Sequence, residues 1–464
     1  MVALFLRSMT TVQTSIAAFF SFKAYVMLPI LMLVIALVAR VPARQAVLST
    51  VSLAAGFAGV FIAFNFFVAN ISPAVQQLSQ ARGLDFQVLD VGWLPLAAIT
   101  WASPLAAISI PVVLALNIAM LGLGWTRAIY IDIWNYWHFA LMGALAMTVS
   151  NQWWVGLAAT LVLAVYCFKM TEWNAPEVER ETGLKGIAVS PVSVNGLLPY
   201  FACADAVMNK VPGLKRWTYN PQREHEAARD GQGSVFLAFA GEPMMIGLLM
   251  GLALALAAGY DVKNTLELAV HIAAVMFILP KSAGLIGEAM IPITTALREQ
   301  VERRFPSRGQ LVVAMDTGFL MHHKSVVITG LLLMALAIVI ALVLPGNQVL
   351  PLGDLSNLIS VMSMSVLVFR GNVIRAVLAG IPVVVSFLLI SSRMAPLYTD
   401  LAKGTPSFDA TGLGQITSFT DGGHQIRFLM LEALHGAWWT LPATLALGAA
   451  VWFTHRRYQK LVAA

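Results

Sequence analysis

Asp132-Ile-Trp-Asn135 and Asp354-Leu-Ser-Asn357 are two tetrapeptides of one pattern, an aspartate followed one helical turn later by an asparagine. Each precedes an apolar run of helix length. Polar groups are expensive inside a membrane and mark functional positions there. The recurrence of the pair therefore predicts a transporter built from two related halves, with a substrate site between them.

The composition is that of an integral membrane protein. The chain has 464 residues, 59% hydrophobic and 11% charged, with a mean hydropathy of +0.78. Uncharged runs long enough to approach the thickness of a bilayer recur, and they are continuous rather than alternating, which favours helices over barrel strands. Examples are residues Ala24 to Ala39, Ala46 to Asn70, Ser325 to Pro345 and Ala433 to Thr454. We predict an all-α polytopic membrane protein.

The loops carry the positive charge, and this sets the predicted topology. Basic residues cluster in four places, which the positive-inside rule assigns to the cytoplasm: Arg40 and Arg44; Lys210, Lys215, Arg216, Arg223 and Arg229; Arg298, Arg303, Arg304 and Arg308; and Arg456, Arg457 and Lys460. The result is about 11 transmembrane helices with the N-terminus outside and the C-terminus cytoplasmic. The net charge of +6 follows from this bias, so no nucleic acid partner is expected.

The two halves share an order of motifs. Asp90-Val-Gly-Trp93 precedes the first tetrapeptide, and Asp316-Thr-Gly-Phe319 precedes the second. Each half has five predicted spans, an odd number, so the halves have opposite orientations. We predict two inverted five-helix repeats, typical of secondary transporters. The expected divisions are residues 1–232, the first repeat with a central cytoplasmic loop; 233–430, the second repeat; and 431–464, a C-terminal helix and cytoplasmic tail.

Three stretches are not simple spans. Residues Ile133 to Phe168 lack charge but are too long for one helix, so we predict a helical hairpin that breaks at Ser150-Asn151-Gln152. Residues Pro191 to Cys203 and Gly412 to Leu429 are marked by glycine or proline. We predict that they form re-entrant hairpins, which a membrane tolerates only where protein or a cavity covers the backbone.

Acidic residues near membrane depth are the first candidates for substrate contact. They are Asp90, Asp132, Asp316, Asp354 and Glu242. Each has a structural alternative. Asp132 and Asp354 are suited to cap a helix, Asp90 and Asp316 precede glycines where the chain turns, and Glu242 is suited to open the span that begins at Pro243.

Amides, imidazoles and indoles complete the candidate set. Asn135 and Asn357 lie one turn inside their helices, His138 shares a helix face with Asn135, and His323 follows Asp316. Such histidines also serve as helix–helix hydrogen-bonding groups. Trp93 either stacks on the carbon face of a polyol or belongs to an interfacial aromatic belt.

Other chemistries have no motif in this sequence. Cys167 and Cys203 lack ligand-like spacing, so no metal and no cofactor are expected. A phosphate-binding loop of the GxxxxGK[ST] type is not found, so transport would draw energy from an ion gradient or from a separate protein.

The motifs resemble the membrane IIC component of the galactitol family of bacterial phosphotransferase systems (PTS), within the ascorbate/galactitol superfamily. The stretches that carry the resemblance are Asp90 to Trp93, Thr100-Trp-Ala-Ser103, Asp132-Ile-Trp-Asn-Tyr-Trp-His138, Gly241-Glu-Pro243, Ala258 to Lys263, Val343 to Pro351 with Gly353-Asp354-Leu355, and Arg370-Gly-Asn372.

The resemblance implies an elevator-type transporter in the bacterial inner membrane, a homodimer with a moving core that holds the sugar. It also implies separate cytosolic EIIA and EIIB proteins, with a phosphocysteine of EIIB as the phosphoryl donor. The chain would then be the EIIC subunit of a complex whose catalytic centre lies elsewhere, with His138 and His323 as candidate catalytic residues. Where galactitol permeases carry Pro-His-Gly, residues Gly186 to Ser193 contain no histidine, which leaves a related alditol or ketose open.

We thus predict a sugar-alcohol permease that binds a neutral polyol for concomitant phosphorylation by EIIB. The expected contacts are Asn135, His138, Asp316 and His323, then Asp90 and Asp354, with Trp93, Asn357 and Glu242 as further candidates. The alternatives are a proton-coupled symporter that uses Asp316 or Glu242, and a sensor or scaffold subunit without flux.

Overall fold

A computed structural model describes residues 24–81, 83, 85–101, 103–229, 239, 242–304, 311–403 and 414–463. These parts of the chain are mostly helical. The helices of the first half are α1 (Ala24–Val38), α2 (Ala43–Ala81), α3 (Trp93–Trp101), α4 (Pro104–Leu123), α5 (Trp137–Ser150), α6 (Trp153–Thr182), α7 (Val192–Asn195), α8 (Leu198–Lys210), α9 (Pro212–Arg216) and α10 (Pro221–Arg229).

The second half of the chain is also mostly helical in the described ranges. Its helices are α11 (Pro243–Ala257), α12 (Val262–Arg304), α13 (Lys324–Val343), α14 (Leu358–Val361), α15 (Ser363–Val368), α16 (Val373–Lys403), α17 (Phe419–Gly422), α18 (Gln425–Leu434) and α19 (Thr440–Ala463). Short 3-10 helices cover Ile133–Tyr136, Thr317–Leu320 and Leu355–Asn357. The long helices α2 and α12 pack along each other and join the halves.

Five helices in the described ranges are long and apolar enough to cross a membrane. They lie at Ala43–Ala81, Trp153–Thr182, Val262–Ala296, Lys324–Val343 and Val373–Lys403. Shorter apolar helices accompany them, for instance Trp137–Ser150 and Pro243–Ala257. The prediction of a helical, multi-pass membrane protein is confirmed, whereas the count of about 11 spans stays a prediction.

The predicted hairpin breaks at the expected place. Helix α5 ends at Ser150 and α6 begins at Trp153. Asn151 adopts a left-handed conformation with φ of 54°, and its amide donates to the carbonyl of Met147 at 2.8 Å. A left-handed asparagine that satisfies a terminal carbonyl is a common way to end a helix.

Five short strands form two parallel sheets, which the all-α prediction missed. The strands are β1 (Val88–Asp90), β2 (Ala128–Ile129), β3 (Ile187–Val189), β4 (Val312–Met315) and β5 (Gln415–Thr417). Strand β1 pairs with β5, and β4 lies between β2 and β3. Strands this short have no period that distinguishes them from an unwound helix. The pairing satisfies backbone groups that a low-dielectric interior would otherwise leave without partners.

Of the two stretches predicted to be re-entrant, Pro191 to Cys203 follows a strand, whereas Gly412 to Leu429 contains one, and both include short helices. Strand β3 leads into α7 and α8, and β5 leads into α17 and α18. Residues 412 and 413 of the second stretch lie outside the described ranges. The register of the sheets places Val189 opposite Met315 and Asp90 opposite Thr417. Each sheet thus joins one stretch from each half of the chain.

Candidate functional site

The first group of polar side chains, here called the Asp316 cluster, comprises Asp132, Asn135, Ser190 and Asp316. Asp316 and Ser190 directly follow β4 and β3, at the carboxyl end of the three-stranded sheet. The Asn135 amide donates to Oδ2 of Asp132 at 2.6 Å and to Oδ2 of Asp316 at 3.0 Å. The Ser190 hydroxyl also donates to Asp132. One amide therefore holds two carboxylates that come from different halves of the chain.

The second group, the Asp90 cluster, comprises Asp90, Asp354, Ser418 and Thr420 at the carboxyl end of the β1–β5 sheet. The Asp90 carboxylate accepts from the amides of Phe419 at 3.0 Å and Asp354 at 2.9 Å. The Asp354 carboxylate accepts from the Ser418 hydroxyl at 2.6 Å, the Thr420 amide at 3.0 Å and the Thr420 hydroxyl. Charge-assisted bonds of this kind are the strong ones, and here they lock the two halves together.

The two loops of the Asp90 cluster meet too closely for side chains at two positions. Gly92 has φ of 79°, and a Cβ there would lie 2.5 Å from the carbonyl oxygen of Gly353. A Cβ at Gly353 would in turn collide with the carbonyl of Asp90. Glycine is thus required by conformation at the first position and by space at both.

The aspartates differ in their relation to nearby helices. Asp316 caps the 3-10 helix Thr317–Leu320, because its carboxylate accepts from the Gly318 amide at 3.1 Å. Asp354 makes no capping bond to its own helix and is fully buried. The alternative that Asp354 caps a helix is therefore wrong, since its carboxylate accepts from Ser418 and Thr420 instead.

A cavity lies beside the Asp316 cluster. It encloses about 730 Å³ of empty space, part of which is the open mouth. Its polar lining is formed by Asn135, His138, Ser193, Asp316, Thr317, Asn357, Ser360 and Asp421. Its apolar lining includes Phe57, Val60, Phe61, Trp93, Trp137, Ile286 and Met321. Five of the predicted site residues thus share one cavity: Trp93, Asn135, His138, Asp316 and Asn357.

Aromatic rings form one side of the cavity. The rings of Trp93 and Trp137 stack with centroids 6.5 Å apart and planes inclined by 22°. His138 in turn stacks on Trp137 at 4.0 Å. Trp137 is buried, so it does not belong to an interfacial belt. Indole faces pack against the C–H face of a polyol while polar groups at the rim bind its hydroxyls.

Asp421 forms another wall. Its Oδ1 lies 3.4 Å from Nδ1 of His138 and 3.1 Å from Nη2 of Arg427. The Asn357 amide donates to the Thr420 hydroxyl at 2.9 Å and lies 3.4 Å from Oδ2 of Asp421. The Asn357 side chain thus contacts residues of the second re-entrant stretch, and only its backbone amide bonds to the aspartate of its own tetrapeptide, at the Asp354 carbonyl.

Four predicted residues lie outside the cavity lining. Asp90 and Asp354 are buried in their own cluster. The His323 ring contacts Glu181 at 3.3 Å. Glu242 occupies the N-cap position of α11, before Pro243, and pairs with Lys324 at 2.7 Å, in agreement with the alternative that it opens this span.

Asp421 is the main residue that the sequence analysis missed. A signal was present, because Ser190-Pro-Val-Ser193 and Ser418-Phe-Thr-Asp421 each follow a short strand directly. Both segments reach the same cavity, through Ser193 and Asp421. Pro191 also lines the cavity, so the segment without the family histidine reaches it.

The sequence profile of a family described as the PTS system sugar-specific permease component, EIIC-GAT, matches residues 18–411. The chain belongs to this family. Two relatives of this EIIC-GAT permease are the galactitol-specific EIIC components of Escherichia coli strain K12 and of Escherichia coli O157:H7. Each is 31% identical over 436 residues, which cover 93% of this chain and 94% of the relative.

In this EIIC-GAT permease the profile match ends before strand β5. The two aspartate–glycine turns, both tetrapeptides and His138 lie within it, whereas Asp421 and Arg427 follow it. The chain is a PTS sugar permease component, and the family relation does not favour the symporter alternative.

Proposed function

We propose that this permease binds a neutral sugar alcohol of the galactitol type in the cavity beside the Asp316 cluster. The observation that carries the proposal is the lining itself: amide, carboxylate, hydroxyl and imidazole groups facing two stacked indoles. Carboxylates accept hydrogen bonds from hydroxyls, and side-chain amides both accept from hydroxyls and donate to them. None of the described lining residues is Lys or Arg, which favours a neutral ligand over a sugar acid.

The contacts proposed for the sugar follow from the geometry. Asn135 and Asp316 face the cavity from the Asp316 cluster, Asn357 and His138 from its other walls, and Trp93 supplies an apolar face. His323, Glu242, Asp90 and Asp354 are left out of this contact set because they pair with protein groups elsewhere. Of the two candidate catalytic histidines, His138 is therefore the one able to accept a proton from a bound hydroxyl.

The galactitol-specific relatives supply the substrate class and the partners. In the proposed cycle the permease exposes the polyol to the cytoplasm, where EIIB, recharged by EIIA, carries a phosphocysteine. The sugar oxygen forms a bond to phosphorus as the S–P bond breaks, and the hydroxyl proton leaves. The phosphorylated sugar is then retained in the cell.

The proposed architecture is two inverted repeats, residues 1–232 and 233–430, followed by a C-terminal helix at 431–464. Support comes from the matching order of elements, from α1 and α2 through β1 in one half and from α11 and α12 through β4 in the other. In this proposal the opening helices of each half form the scaffold of a homodimer, and the cluster-bearing core moves as an elevator. The chain lies in the bacterial inner membrane with its N-terminus outside and its C-terminus in the cytoplasm.

The test is a substrate screen with membranes that contain the permease and purified cognate EIIB and EIIA. Galactitol, other hexitols, ketoses and galactonate are compared for uptake and phosphorylation. We expect a hexitol to be phosphorylated and galactonate to be rejected. Uptake that persists without EIIB and collapses with a protonophore would instead identify a symporter.

Two variants localise the result. Asn135→Ala is expected to abolish uptake, because it removes the amide that joins Asp132 and Asp316. Asn264→Ala, at an exposed position near the start of α12, is the matched control and should transport normally. Equal transport by both variants would contradict the proposed site.

A further inference from the structure

A buried ion pair stands at one wall of the cavity. The Asp421 and Arg427 side chains are 2% and 1% exposed, and Oδ1 lies 3.1 Å from Nη2. A charged pair at membrane depth is expensive, and replacing such pairs with apolar groups is often neutral or stabilising. Its presence here therefore calls for an explanation other than stability.

Arg427 is poorly used as a structural crosslink. In the described part of the chain, its Nε and Nη1 are buried without a hydrogen-bond partner, and Asp421 is its ion-pair partner. A buried guanidinium normally satisfies its five donors. The Arg427 guanidinium therefore acts mainly on the Asp421 carboxylate, which faces the cavity.

The Asp421 carboxylate keeps capacity to accept hydrogen bonds. Oδ1 is shared by Arg427 and His138. Oδ2 has a long contact, 3.4 Å, to the Asn357 amide, whose shorter bond goes to Thr420. The Ser193 side chain, which also lines the cavity, is a further hydrogen-bonding neighbour of the carboxylate. An ionised carboxylate oxygen has two lone pairs, so Oδ2 can accept from a ligand hydroxyl.

The first half of the chain shows that the fold does not require this pair. The segment that follows β3 carries Ser193 where the segment after β5 carries Asp421, and Pro199 stands where the second half has Arg427. Both segments reach the cavity. The ion pair therefore makes the two sides of the cavity chemically different, as a site that binds a polyol in one orientation needs.

We propose that Asp421 accepts a hydrogen bond from one specific hydroxyl of the sugar alcohol through Oδ2, and that Arg427 is a positioning residue that fixes the charge and orientation of this carboxylate. The inference rests on the proposed function, since it names a contact within that site. It adds a substrate-binding residue and its support, both from the second re-entrant stretch.

The experiment measures binding of galactitol and of singly deoxygenated galactitols to the purified full-length permease by calorimetry. Wild-type protein should lose about 10- to 100-fold in affinity when one particular hydroxyl is removed, the loss expected for a hydrogen bond to a charged group. Asp421→Asn should lose a similar amount on galactitol and become indifferent to that deoxygenation.

Asp421→Asn leaves the buried Arg427 guanidinium without its ion-pair partner, so a misfolded single variant would not test the proposal. A double variant in which both side chains are uncharged, here called the neutral-pair variant, avoids this problem. The double variant Asp421→Asn with Arg427→Met should elute and melt as a folded protein and show the same indifference. Arg427→Met alone should weaken galactitol binding, the double variant should bind no more weakly than Asp421→Asn, and Arg427→Lys should restore part of the affinity. Arg393→Met, at an exposed position on α16, is the matched control and should bind as wild type.

The inference would be overturned if the neutral-pair variant lost affinity on removal of the same hydroxyl as wild-type protein does. Fully additive losses from the two substitutions would overturn it too, since they would mean that Arg427 does not act through Asp421. If wild-type protein bound no hexitol at all, the proposed function would fall, and the inference with it.

Discussion

The Asp316 and Asp90 clusters are built from the same two motifs, yet they differ in what their carboxylates contact. In both, the aspartate–glycine turn of one half meets the tetrapeptide of the other half. Asn135 donates to both carboxylates of the Asp316 cluster, and Asp316 still lines the cavity. In the Asp90 cluster, both carboxylates accept hydrogen bonds from backbone amides, and that of Asp354 also accepts from a hydroxyl.

The difference shows how one motif serves two purposes. Asp316 accepts from the Asn135 side chain and the Gly318 backbone amide and still faces the cavity, so it keeps acceptor capacity for a ligand. The carboxylates of the Asp90 cluster are surrounded by donors of the protein and are committed to the fold. The residues that follow strands β5 and β3 determine whether backbone amides donate to the carboxylates. Phe419 and Thr420 donate their amides to the Asp90 cluster, but Pro191, which directly follows Ser190, has no amide hydrogen to donate.

Asp354→Ala should have the largest effect, since it leaves the Ser418 hydroxyl and both Thr420 donors without their acceptor. Unsatisfied buried groups cost about 1–3 kcal/mol each, so we expect the free energy of unfolding to fall by roughly 3–5 kcal/mol. Thermal melting in detergent measures this. Asp400→Ala, whose carboxylate is 66% exposed, is the control. Equal melting of the two variants would refute the view that the Asp90 cluster is a structural lock.

Gly92→Ala should come next. The left-handed backbone costs an alanine about 1 kcal/mol or more, and the collision with Gly353 adds about 1–3 kcal/mol of overpacking. Gly83→Ala isolates the first contribution, because Gly83 has φ of 65° and nothing within 4 Å of its Cβ position. If both variants melted alike, the close approach of the two loops would be unimportant for stability.

Asp316→Asn and Asp90→Asn test the comparison directly. Asp316→Asn should lower galactitol affinity about 10- to 100-fold and destabilise less, because its oxygen faces the ligand. Asp90→Asn should lower the melting temperature and leave the galactitol affinity of the folded protein near normal. Affinity by calorimetry and melting are measured on the same preparations, and matching profiles for the two variants would contradict the assignment.

His323→Gln should have the smallest effect. His323 contacts Glu181 and does not line the cavity, so galactitol affinity should change by less than about twofold, a surface-like effect. His138→Gln should cost at least about tenfold, as expected for a lost hydrogen bond at a buried site. A large affinity loss in His323→Gln would return this residue to the sugar site.

The sequence predicted the membrane class, the hairpin break and five of the residues that line one cavity. These succeed because apolar runs, a polar break and the energetic cost of buried polar groups are local properties. Asn135 and His138 could be placed together because they lie one turn apart on a helix.

The partners across the molecule could not be predicted. That Asp90 joins Asp354 and Asp316 joins Asn135 depends on strands of two to four residues, too short to show a period. Asp421 was missed for the same reason, because strand β5 before it is too short to show a period and its segment is recognisable only by its glycines. The sequence positions of Glu242 and His323 near motifs led to the prediction that they contact substrate. In the structure both contact protein side chains outside the cavity lining.

The bond from the Phe419 amide to Asp90 spans 329 positions of sequence. Synthesis proceeds from the N-terminal end, so the ribosome has made most of the protein before Asp90 can meet this partner. Until then the Asp90 carboxylate lacks this distant donor, although the Gly92 amide, two residues further along the chain, donates to it at 3.1 Å. A chain released before strand β5 would therefore hold inserted helices but an unfinished lock, a form open to degradation.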